Sequence, residues 1–281
     1  MGLFDLFKKD KPQPPQKIEA HPEITVSKID NGSHGDNIGG LIGFESLSKD
    51  EGKNLINEYM ASSVVSNSKL TSGHISITDS HPLDQNLSNR FLGLRILKEQ
   101  NNILSAFPYL KTAYTIPFGT KEIIEWSHMG HLEAEIKGGG RDTFGVDFFP
   151  TDYAVNKATY LSQKNINIHI SAIALVVDKH QADESGEVKF AEDFVAYMPS
   201  SNLPRQTYYD FIGQVIEYQE VKLGSLNKGY IAKVRLINEE SNPDFFTVDM
   251  FMNEENMRIQ EISNNMKITG MLWFQGELAQ N

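Results

Sequence analysis

The chain has 281 residues, with 37 acidic side chains against 26 Lys and Arg, and a formal net charge of −11. Such a balance argues against a protein that grips nucleic-acid backbones over a broad face, because that needs dense positive charge. With no cysteine, disulfides and thiolate chemistry are excluded, and any metal site would have to use His, Asp or Glu.

Residues 1–9, MGLFDLFKK, place Leu3, Phe4, Leu6 and Phe7 ahead of Lys8 and Lys9. Pro12, Pro14 and Pro15 follow and favour an extended, hydrated tether. The pattern reads as an apolar docking segment (residues 1–20 with its tether) for a protein groove or a membrane surface. It lacks the long apolar core and small-residue cleavage site of a secretory signal, and no apolar run is long enough to span a bilayer, so a cytoplasmic location is expected. Residues 30–37, DNGSHGDN, read as a loop. Residues 48–60 begin with a Ser48–Glu51 capping-box spelling and predict a first helix. Residues 86–106, rich in Leu and Ile, are read as a second. Short strands are expected at 112–116 and 122–126.

The stretch 131–178 is the most informative. Leu132, Ala134 and Ile136 alternate with Glu133, Glu135 and Lys137, which predicts a strand with one charged face. Gly138, Gly139 and Gly140 suggest a tight reversal into a return strand carrying Phe144, Val146 and Phe148. Glu133, Glu135, Lys137 and Asp147 are the candidate catalytic residues. Glu135-Ile136-Lys137 has the E-x-K spelling of many metal-dependent nucleases, where the carboxylate holds the metal and the lysine polarises water. The plainer reading is a solvated strand face. His128 and His131 are read as loop histidines; no cofactor and no metal site is assigned. Residues 154–161 suggest one or two helical turns. Residues 166–177 alternate and then become continuously apolar, as in a strand covered on both faces.

Pro199 and Pro204 bracket the expected boundary between a domain at 21–198 and another at 205–281. The second reads as strands at 211–221, 230–237, 245–252 and 266–276, with a short helix at 253–262. This order resembles an OB-fold barrel over about seventy residues by its strand pattern. The resemblance implies a single-strand or oligosaccharide binder, and a fifth strand from the preceding domain, for which 188–197 is the candidate. Trp273 and Phe274 are candidate binding residues, because adjacent strand positions face opposite ways. The expected fold is therefore α+β and β-rich: a mixed helix/antiparallel-sheet domain followed by a small OB-like β-barrel. The expected function is a non-catalytic binding or assembly module with a protein partner. The alternatives are a metal-dependent hydrolase or nuclease using the 131–152 carboxylates, and a single-strand nucleic-acid binder using Lys233, Arg235 and Lys267. Composition leaves the oligomeric state open.

Overall fold

The structure, a computed structural model, describes residues 19–34, 37–47, 50, 54, 57, 70–80, 91–140, 144–181, 193–201, 207–223, 227–239 and 242–279. The expected helix at 48–60 falls largely outside these residues, as do Leu3, Phe4, Leu6 and Phe7. Strand accounts for 64% of the described residues and helix for 13%, which overturns the expected helix/sheet domain. In its place, and in place of a separate OB-like barrel after it, the chain builds a ten-stranded mixed sheet and a four-stranded sheet.

The large sheet runs, from one edge to the other, through β1 (Thr25–Ile29), β6 (Thr115–Trp126), β7 (Ala134–Gly140), β8 (Phe144–Pro150), β14 (Lys267–Leu278), β9 (Asn165–Lys179), β13 (Asn242–Asn253), β12 (Asn227–Glu239), β11 (Tyr208–Leu223) and β10 (Ala196–Pro199). Strands from both sides of residues 199–204 thus interleave. Two further pairings, β6 with β9 and β14 with β11, close the sheet on itself twice. The first ring is β6, β7, β8, β14 and β9. The second is β11, β12, β13, β9 and β14. β9 and β14 are long enough to serve both: β9 meets β6 through 165–169 and β13 through 171–173.

The interiors of the two rings form one continuous core, with Ile116, Phe118, Ile136, Phe148 and Ile168 in the first and Val215, Val234, Val248, Met250 and Leu272 in the second. A second core covers the outside of the shared strands. There Ile173, Leu175 and Trp273 pack under α1 (Ile38–Ile42), which the four-residue α2 (Phe44–Leu47) follows, and under Leu92, Leu94, Phe107 and Leu110. Ala172 and Ala174 face the inner core while Ile173 and Leu175 face the outer one, which is why this run is apolar without alternation.

The small sheet is β2 (Leu70–Ser72), β3 (Ile75–Ser80), β4 (Phe91–Glu99) and β5 (Asn102–Lys111). It replaces the helix expected over 86–106. Glu99 pairs with Asn102 across a two-residue turn, and Gln100 takes a φ of 54° there. Six consecutive residues of β4, Leu92 to Leu97, are buried. Burial on both faces removes the period of two that would have marked a strand.

Other elements correct the sequence reading in detail. The pieces expected at 112–116 and 122–126 merge in one strand, β6, which begins only at Thr115 and continues through Gly119. The helix expected at 253–262 is a single 3-10 turn, Glu254–Asn256. The turns expected at 154–161 are a ten-residue helix, α3 (Tyr153–Ser162). The glycines Gly138 to Gly140 end β7 instead of forming the reversal, and pair with Val146, Gly145 and Phe144. A Cβ on Gly138 would sit 2.2 Å from the Gly119 carbonyl oxygen, and one on Gly139 would sit 2.2 Å from that of Phe144. Close packing demands glycine at both. Among the described residues, no helix is long and apolar enough to cross a membrane.

Candidate functional site

The outer face of the first ring carries a row of three glycines that ends at an asparagine. Asn165 pairs with Gly119, Gly119 with Gly139, and Gly139 with Gly145, straight across β9, β6, β7 and β8. Alternation places this row outward: Phe118 and Thr120 are buried beneath β6, whereas Pro117 and Lys121 are exposed beside Gly119. The missing side chains leave a cleft of about 950 Å³. Its rim comes from four places: Pro117 and Lys121 of β6, Thr159 and Gln163 at the end of α3, Asn165 and Asn167 of β9, and Leu278 and Ala279 at the end of β14.

The sequence holds these groups in position by simple means. Ile166, Ile168 and Ile170 anchor β9 in the core, so Asn165 and Asn167 must point away. Lys164 closes one side by an ion pair with Glu23, and that hydrogen bond holds the Glu23 carboxyl below its ordinary range. Among the described residues nothing pairs with Lys121. The outer edge of β8 is already engaged, because Tyr197 donates its hydroxyl to the Gly145 carbonyl at 2.7 Å and the Asp147 N–H donates to the Tyr209 hydroxyl at 2.8 Å.

None of the four candidate catalytic residues lines this cleft, and they do not converge on one another. Glu133 and Glu135 are buried at 3% and 5% exposure. Lys137 pairs with Glu122 at 3.0 Å. Burial raises the Asp147 carboxyl to about 6, against the pull of Lys137. Glu133 stands apart from the others, near Ser105 and 3.8 Å from His34 Nε2; burial raises it to about 7, opposed by a hydrogen bond from Ser105. His34 Nε2 also lies 2.9 Å from Ser105 Oγ, but serine and glutamate meet the same ring nitrogen, so the trio lacks the order of a nucleophile, base and orienting acid. His131 lies 3.7 Å from Glu125, and His128 stacks on Trp126. Among the described residues no group of three or more His, Asp or Glu side chains is placed to hold a metal ion.

The remaining candidates are also engaged elsewhere. Trp273 and Phe274 face opposite cores and are 1% and 0% exposed, so neither reaches the surface. Lys267, Gln214 and Arg235 do fall in one row, but Arg235 is forked onto Asp244 and Lys267 donates to the Phe194 carbonyl. Lys233 sits between Glu217 and Asp249 in register.

Sequence reasoning missed Gly119, Lys121, Asn165, Asn167 and Gly145. A signal was present: in N-I-N-I-H-I and F-G-V-D-F the same alternation that buries the apolar residues points both asparagines and Gly145 outward. No family model, curated protein or solved structure matches this chain.

Proposed function

We propose that this chain is a non-catalytic binding module that seats its ligand in the cleft of the first ring, with residues 1–9 as a docking segment on a proline-rich tether. The observation that carries the reading is the cleft itself: about 950 Å³ of open volume beside the exposed Lys121, which pairs with nothing among the described residues. Concave sites of this size with a few convergent polar groups are where proteins hold ligands. The carboxylates that would support hydrolysis are buried or paired away from it. The segment 1–9 supplies four apolar residues that a short helix could not keep folded without a surface to dock on.

A photoactivatable diazirine lysine analogue at position 121 tests the seat, since it labels any bound chemistry. Irradiated in cells, the full chain should give a discrete adduct that Gly145→Trp abolishes, while the same analogue at exposed position 222 on β11 gives none. Equal labelling at 121 and 222 would refute the seat. Removing residues 1–18 should leave the adduct and abolish co-localisation with the partner; unchanged localisation would refute the tether.

A further inference from the structure

Resting on that reading of the cleft, we infer that its ligand is a short carbohydrate chain bearing an acidic group. The ladder hydrogen bonds leave no place for an added peptide strand. β6 and β7 are paired on both sides at the glycine row, and the Gly145 carbonyl accepts from Tyr197. A multiply charged phosphate is also disfavoured. The cleft receives the C-terminal end of α3 through Thr159 and Gln163, and that end of a helix carries partial negative charge.

What remains on the rim is amphoteric. The amides of Gln163, Asn165 and Asn167 and the hydroxyl of Thr159 each both donate and accept. Sugar hydroxyls do the same, so each can satisfy the other without a fixed direction. The Lys164–Glu23 pair adds donors and acceptors at one end. Lys121 is left over, and it matches one carboxylate on the ligand.

The floor fits the same occupant. Gly139 is required by packing, but Gly119 and Gly145 are not: a Cβ would meet nothing closer than 3.6 Å at the first and 3.7 Å at the second, and neither has a positive φ. Alanine would serve the strand better at both positions. Glycine there lets a flat ring lie against the backbone over three strands, a span of roughly 10 Å from their ordinary spacing, with Asn165 bounding it on β9. That is long enough for two sugar rings.

The test measures binding of aldotriouronic acid, a trisaccharide with a single uronate, and of neutral maltotriose and triacetylchitotriose to the full chain by calorimetry. The acidic sugar should bind at least tenfold more tightly than the neutral ones. Lys121→Gln should bring the three within about twofold, and Gly145→Trp should abolish binding while the thermal midpoint is kept. Absence of binding by all three sugars, or equal binding to wild type and Gly145→Trp, overturns the inference. If the sugars fail while the diazirine adduct at 121 persists, the ligand class is wrong and the seat stands; if the adduct is absent too, both readings fall.

Discussion

The cleft and the junction beneath the small sheet are both polar, yet they treat their polar groups in opposite ways. At the junction Arg95 is 1% exposed. It forks onto Asp79 at 2.6 and 2.9 Å, reaches Glu277 at 2.7 Å and Thr151 at 2.9 Å, and lies 3.4 Å over the Tyr109 ring. Tyr109 donates to the second oxygen of Glu277 at 2.7 Å. Burial would raise Glu277, but Arg95 and the Tyr109 hydrogen bond together hold it below the ordinary range. Nearby Asp152 is raised by burial and by Glu277, against hydrogen bonds from Tyr160, Asn156 and the Leu278 N–H. Every polar group there has a structural task, joining β3, β4 and β5 to β14 and α3. In the cleft the glycines leave space, and among the described residues nothing pairs with Lys121. A saturated network rivets two sheets; the cleft rim keeps Lys121, Gln163, Asn165 and Asn167 exposed.

Breaking the rivet should have the largest effect. Arg95→Met leaves Asp79 and Glu277 buried without their cation and should lose about 3–5 kcal/mol in urea unfolding. A loss under 1 kcal/mol would mean that the junction is not what holds the small sheet. Next in size is pH. Glu133 keeps its proton up to about pH 7 in the fold but only to its ordinary 4.5 when unfolded, so it favours the fold below pH 4.5 and that favour is lost as pH rises to about 7. The loss should approach roughly 3 kcal/mol, since the side chain is almost wholly buried. Glu133→Gln should therefore be the more stable protein above pH 7 and show no advantage below pH 4.5; parallel stability–pH curves for the two would contradict this. Glu277, held low, acts on the acid side, where its contribution is lost as pH falls through its folded value.

Two glycines sharpen the contrast within a single sheet. Gly138→Ala pushes a methyl against the Gly119 carbonyl and should cost about 1–3 kcal/mol. Gly145→Ala meets no such neighbour and should gain about 0.5–1 kcal/mol. Urea midpoints that moved in the same direction would erase the distinction between packing glycines and floor glycines. The smallest effect should be that of Lys121→Gln, which should change stability by no more than about 0.5 kcal/mol.

The strands β11 to β14 were legible because each alternates over enough residues to show its buried face. β9 was legible from the change in its pattern at Ala172, and α3 from the composition of 154–161. β4 and β5 were not, because covering both faces of β4 left an apolar run equally readable as a helix. The Gly138–Gly140 run was read as a turn, since glycine permits a reversal and close packing alike and only the neighbouring carbonyls decide which applies.

The amino-acid sequence by itself determined which residues face inward along the alternating strands, because alternation is a local property of the backbone. It also determined the charge balance and the absence of thiol chemistry. Tertiary structure alone decided that β9 and β14 would thread two rings, and that Gly119, Gly139 and Gly145 would line up beside Lys121 and Asn165. Those residues lie on four successive strands, β6 to β9. They meet through register, a property of pairs of strands, which no single segment encodes.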